Sequence, residues 1–158
     1  MQTEPLLYEA YGVTGQVVTV FRHFPLDIHP NAPAAHRAAY CAGQQDPKLF
    51  WKMHDWLFPN QQAWQSSTAT VAAGQFREQA LAIGVDAAAY DACLTDPQTE
   101  AAIQKDMQAG AELGVRGTPA FFLEKRDASG KVTQTRPLSG ALPYEQFAQA
   151  IEGLLAQQ

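Results

Sequence analysis

The sequence predicts an α/β fold in which a strand, a long helical block, a β-hairpin and a closing helix follow one another. Three observations carry this. Residues 16–24 (QVVTVFRHF) are β-branched and aromatic on both faces, the composition of a strand buried in a sheet. From Asn31 to about Val115 apolar residues recur with a period of 3.6, so about 80 residues are helical. After Gly114 the β pattern returns in two short runs and then gives way to one last amphipathic helix.

Each element has a local cause. Residues 4–11 (EPLLYEAY) form one or two helical turns, with Thr3 as N-cap and Pro5 early enough to be tolerated, and Gly12 and Gly15 stop them. Pro25 ends the strand over 16–24, because proline cannot donate to a ladder. The helical block divides into 33–43, 47–58, 70–83, 86–94 and 97–113, several opened by an Asp or Thr cap or an early proline. In the second piece Leu49, Phe50, Met53, Trp56 and Leu57 share one face, so it packs against something apolar. Residues 120–123 form a short apolar strand, Asp127-Ala-Ser-Gly130 a turn, and about 131–138 a second strand. The final helix begins near Pro143 and keeps Tyr144, Phe147, Ile151, Leu154 and Leu155 at helical spacing.

Composition narrows the function classes. At 158 residues one domain is expected, and a chain of this size buries about 68–70% of its unfolded surface, so no disulfide or metal is needed merely to make a core. Charged residues are 17%, against about 25% in an average domain, and 17 Gln with 27 Ala take their place, which favours helix. A net charge of −5 excludes the basic footprint of a nucleic-acid binder. No stretch approaches the ~18 consecutive apolar residues of a membrane span, and the opening MQTEPLL lacks the basic and apolar regions of a signal peptide.

Histidines 23, 29, 36 and 54 raise the question of a metal. His29 and His36 stand seven apart, but Pro30 and Pro33 interrupt any continuous helix between them, and no Cys or carboxylate completes a zinc spacing, so neither metal nor cofactor is expected. Phe50, Trp51 and Trp56 read as core. Cys41 and Cys93 lie 52 residues apart within helical patterns, and the residues alone leave open buried thiols acting as small hydrophobes or a structural disulfide.

Val115-Arg-Gly-Thr-Pro-Ala-Phe-Phe122 is the most informative string, and it resembles the cis-proline loop of thioredoxin-fold proteins. Residues 17–26, His29-Pro-Asn-Ala32, Ala38-Ala-Tyr-Cys-Ala42, Phe50-Trp-Lys-Met-His-Asp-Trp-Leu-Phe58, Tyr90-Asp-Ala-Cys-Leu94, Gly114-Val-Arg-Gly-Thr-Pro119 and Gly140-Ala-Leu-Pro-Tyr-Glu-Gln-Phe147 occur in the order seen in DsbA-like thiol–disulfide oxidoreductases. The resemblance covers nearly the whole chain. It implies a thioredoxin-like fold with an incomplete sheet and a large all-helical insertion: 1–30 and 115–158 as the thioredoxin-like part, 31–114 as the insertion. It further implies a cis bond at Thr118–Pro119, extended polypeptide clients held at Gly117, Thr118 and Pro119, a structural disulfide between Cys41 and Cys93, and a periplasmic or cell-envelope location.

One departure shapes the functional expectation. The family's Cys-x-x-Cys is missing, and the resemblance places that pair, with the first and central strand, before Met1. Exchange needs two adjacent thiols, one with its pKa lowered at a helix N-terminus. Neither Cys41 nor Cys93 can serve, so no catalytic residue is assigned. The expectation is a DsbA-like exchange protein without its redox motif, able at most to bind extended peptide, with enzymatic activity left open. The alternatives are a non-catalytic peptide-binding or chaperone-like module and, on fold analogy alone, a glutathione-dependent isomerase of the same fold. The missing strand leaves unpaired edges, so residues 17–24 are expected either to close directly onto 120–123 as an antiparallel pair or to join a strand of another chain in a homodimer.

Overall fold

A computed structural model describes residues 3–157. In chain order it contains α1 (Thr3–Leu7) continued by a π-helical turn (Tyr8–Gly12), α2 (Ala32–Gln45), α3 (Pro47–Leu57), α4 (Gln61–Gln65), α5 (Ala69–Ala82), α6 (Ala87–Thr95), α7 (Pro97–Glu112), β1 (Ala120–Arg126), β2 (Val132–Ser139) and α8 (Tyr144–Leu155). Contacts divide the chain into two compact units, one running from Arg22 to Gly114, the other made of the residues up to Phe21 and those from Val115 onward.

The 22–114 unit is all helical, and its helix starts are written in side chains. Asp46, Thr68, Asp86 and Asp96 cap α3, α5, α6 and α7, each accepting a main-chain N–H of the first turn, at 2.7 Å from Lys48 and 2.8 Å from Ala89 and from Gln98. Such a cap contributes about 1 kcal/mol. The inner face of α2 is nearly all alanine: Ala35, Ala38, Ala39 and Ala42 are buried beside Cys41, and their small side chains let neighbouring helices approach closely. At Gly43 a Cβ would sit 3.0 Å from that of Phe50, so the missing side chain lets α2 and α3 approach there without a shift. Met53, Phe76 and Tyr90 fill the remaining space, and Trp64 stacks edge-on against Phe76 with ring centres 5.6 Å apart.

The Tyr90 hydroxyl is buried without a hydrogen-bond partner among the described residues, and burial pushes its pKa up to about 12. An orphaned buried hydroxyl costs about 1–3 kcal/mol, so Tyr90→Phe is expected to leave stability unchanged or raise it by about 1 kcal/mol, read as a higher urea midpoint. A loss of that size instead would show the hydroxyl to be bonded through water.

In the other unit β1 and β2 form a two-stranded antiparallel sheet with Ala120 opposite Ser139 and Phe122 opposite Pro137. Pro137 is tolerated because β2 is an edge strand. The connecting turn is organised by Asp127, whose carboxylate accepts the main-chain N–H groups of Ser129 and Lys131 at 2.9 and 3.1 Å, and by Gly130 at φ +84°, where a side chain would be strained. The apolar face of α8 carries Phe147, Ala148, Ala150, Ile151 and Leu154. Tyr11, Ala148 and Ile151 centre a small core that Val17 and Leu123 also join, Phe121 meets Phe147 edge-on at 4.8 Å, and the Tyr11 hydroxyl donates to Glu152 at 3.0 Å.

Two expectations are corrected here. Residues 17–24 form neither strand nor helix, and they do not close onto 120–123, since β1 pairs with β2 alone among the described residues. Val18 and Val20, expected inside, are 81% and 65% exposed. The reason is that β-branched composition makes a segment fit to pair, but a strand exists only against a partner, and none of the described segments lies in ladder register with this one. The second correction is α4, absent from the helical reading because QQAWQ offers only one large apolar side chain, Trp64. It is seated by Trp64, whose indole N–H donates to the Leu57 carbonyl at 2.8 Å, and by buried Asn31, whose amide donates to the carbonyls of Trp64 and Ser67 at 2.9 Å each.

Candidate functional site

The loop that leads into β1 contains the three residues singled out from the sequence. Gly117, Thr118 and Pro119 are all exposed, and the Thr118–Pro119 peptide bond is cis. The Pro119 carbonyl accepts the Gly140 N–H at 3.0 Å, so the loop is fastened to the end of β2. Thr118 is different. Neither its N–H nor its C=O has a hydrogen-bond partner among the described residues, and a Cβ built on Gly117 would meet nothing within 4 Å. The loop therefore offers one unpaired donor and one unpaired acceptor to solvent, next to the edge of β1 that β2 does not cover.

The two cysteines lie elsewhere, in the helical unit. Their sulfur atoms are bonded at 2.04 Å and their Cα atoms stand 5.7 Å apart, joining α2 to α6. Cys41 is completely buried, whereas Cys93 keeps partial access to solvent. Thr99, in the first turn of α7, seals the bond: its buried hydroxyl donates to the Cys93 carbonyl at 2.8 Å and lies 3.3 Å from the Cys93 sulfur. These are the only cysteines of the sequence, and both are oxidised.

The histidines form pairs that their spacing does not foretell. His29 Nδ1 meets the Gln65 amide at 2.9 Å, and His54 Nδ1 lies 3.0 Å from Asp55 Oδ1. His23 and His36, thirteen residues apart, bring their Nδ1 atoms to 2.9 Å. Asp106 of α7 completes this cluster by accepting the His23 main-chain N–H at 3.0 Å and the Arg22 guanidinium at 3.2 Å. Burial is the main cause that drives the His36 pKa down to about 4, with the neighbouring His23 adding to it and Asp106 opposing; burial lowers His23 as well. Helical spacing relates residues on one helix, and this contact joins α2 to an irregular segment across three prolines.

Comparison with known proteins agrees with this arrangement. The family model described as the DSBA-like thioredoxin domain matches residues 9–152, from the π-helical turn into α8. The chain is 32% identical over 130 residues to the Na(+)/H(+) antiporter NhaA 3 of Salinispora tropica, a match covering 82% of this chain and 19% of that protein. It is 31% identical over 135 residues to the Na(+)/H(+) antiporter NhaA 1 of Salinispora arenicola, again covering 82% and 19%. The chain thus spans about a fifth of the length of the curated relatives it matches. Among solved structures, alpha-DsbA1 of Wolbachia pipientis superposes with a TM-score of 0.77 at 22% identity, covering 98% of this chain and 76% of that one. The family match runs over nearly all of both units, and the chain belongs to the DSBA-like thioredoxin domain family.

Proposed function

We propose that this chain is a DsbA-like module that holds extended polypeptide at Gly117, Thr118 and Pro119, and that its own cysteines do not exchange disulfides. The observation that supports this is Thr118, exposed and with both main-chain groups unpaired beside the open edge of β1. A peptide laid along that edge gains main-chain hydrogen bonds as an added strand does, with little demand on its sequence. Cys41 and Cys93 fit a structural role, since the Cys41 sulfur is enclosed in the core and cannot meet a client. A disulfide of this kind suits the oxidising cell envelope.

Fluorescence anisotropy with a labelled extended peptide tests the reading. Binding is expected to weaken about tenfold when the same peptide is N-methylated at alternate residues, because one or two main-chain hydrogen bonds of about 1 kcal/mol each are lost. Equal binding of the two peptides removes the edge-pairing argument. In an insulin-reduction assay the chain is expected to add nothing to the rate of the reductant alone, and turnover that disappears in a Cys41/Cys93 double variant would overturn the structural role.

A further inference from the structure

We propose that Arg116 gives the loop a preference for acidic clients, by pairing its guanidinium with a carboxylate on an extended peptide held at Gly117, Thr118 and Pro119. This rests on the peptide-holding reading above and adds what the main chain does not supply. Hydrogen bonds to Thr118 and to the open edge of β1 are made by peptide groups that every sequence carries, so they fix where a client lies and not which client it is. Discrimination has to come from a side chain that faces the client. Arg116 is the charged residue nearest to Thr118 in the chain, two positions before it. Two residues of chain span at most about 7 Å, and an added strand lies about 4.8 Å from its neighbour. A client residue one or two positions from the one paired with Thr118 therefore comes within reach of the long arginine side chain.

The charge of Arg116 is not spent within the fold. Arg116 is exposed, and neither its guanidinium nor its main chain has a partner among the described residues. The other arginines show what the group does when a carboxylate is in reach: Arg22 pairs with Asp106, Arg37 with Glu100, Arg77 with Asp91 and Arg126 with Glu124, at 2.6 to 3.2 Å. Arg136 has no carboxylate, but it stands opposite Leu123, four residues beyond Pro119, and lies against α8, where a Cβ on Gly153 would meet it at 3.9 Å. Nor do the carboxylates of the hairpin cancel Arg116. Glu124 is engaged with Arg126, and Asp127 with Ser129 and Lys131. Even the nearer, Glu124, is five residues beyond Pro119, about 16 Å along the strand and outside a Debye length of about 10 Å at 0.1 M salt. The planar fork of arginine takes a carboxylate by two parallel hydrogen bonds, which favours a Glu or Asp side chain over a neutral amide. The net charge of −5 acts the other way and repels an acidic peptide at long range, so a preference for acid marks the local contact and not the overall field.

Fluorescence anisotropy on the whole chain tests this with three labelled peptides of one extended sequence that carry Glu, Gln or Lys at the same two adjacent central positions. At about 0.1 M salt the Glu peptide is expected to bind about threefold more tightly than the Gln peptide, the size of one exposed ion pair, and the Lys peptide more weakly than either. At about 0.5 M salt the Glu and Gln peptides are expected to converge. Arg116→Gln is expected to erase the difference between Glu and Gln, and Arg116→Glu to reverse the order of the three. Both variants keep the fold, because the side chain has no bond among the described residues to lose. Equal binding of the Glu and Gln peptides, tightest binding of the Lys peptide, or a Glu preference that survives in Arg116→Gln each overturn the proposal. A failure of the underlying reading shows separately, as equal binding of the Gln peptide and its N-methylated form.

Discussion

Replacing Cys41 and Cys93 together with alanine is expected to lower the unfolding free energy by about 4 kcal/mol. The bond spans a sequence separation of 52 residues, and the chain-entropy treatment of a loop of that size gives about 14 cal/mol/K, or about 4 kcal/mol at 25 °C. Little offsets this in the native state. Cys41 already occupies an alanine-sized position in the row Ala38, Ala39, Ala42, so truncating it leaves a small gap rather than a cavity that must collapse. The loop it closes holds the last turn of α2, all of α3, α4 and α5 and most of α6, and the unfolded state therefore gains freedom over the greater part of the helical unit. With total stabilities of about 5–15 kcal/mol, a change of this size moves a urea midpoint by about 2 M at a slope of about 2 kcal/mol/M. The measurement is urea denaturation of wild type with and without reductant, beside the double variant. The reduced wild type and the variant are expected to fall together, and a shift below about 1 kcal/mol in both would show that the unfolded loop is already restrained or that the bond carries compensating strain.

The helical unit was legible because its signals are local. Asp46, Thr68, Asp86 and Asp96 cap the helices they precede, the alanine rows keep a 3.6 period, and helix ends fall within a residue or two of their positions in the structure. Residues 17–24 show the opposite case. Val17, Val18, Val20 and Phe21 have every preference of a buried strand, yet pairing is a property of two segments and this one has no ladder partner among the described residues. At the candidate site, Gly117, Thr118 and Pro119 were legible through a family resemblance, whereas the unpaired state of the Thr118 main chain follows only from where β2 and Gly140 come to rest. The cluster of His23, His36 and Asp106 could not be read at all. It joins positions 13 and 83 residues apart, on three elements whose mutual placement no period in the sequence encodes.

That cluster also fixes how stability should respond to acid. His36 has a pKa of about 4 in the folded chain and 6.5 in an open one. Between those values the unfolded state binds a proton that the folded state refuses, so stability rises with pH across the window and is lost as pH falls from 6.5 toward 4. The full difference of about 2.5 units corresponds to about 3 kcal/mol, and His23, lowered for the same reason, acts in the same direction. The carboxylates pull elsewhere on the scale. Asp91, Glu100 and Asp127 are held below their ordinary values, chiefly by hydrogen bonds from Arg77, from Gln104 and from Ser129 respectively, so the stability they contribute is lost mainly at lower pH, as each is protonated. From pH 6.5 down to about 5 the slope therefore belongs to the histidines. His36→Phe keeps an aromatic ring in the same space and removes the titration; it is expected to carry a constant offset at neutral pH from the lost Nδ1 contact, with a stability curve visibly flatter than wild type between pH 6.5 and 5. Urea midpoints at pH 7, 6 and 5 for both proteins measure this, and parallel curves would mean that His36 takes its proton without leaving its place.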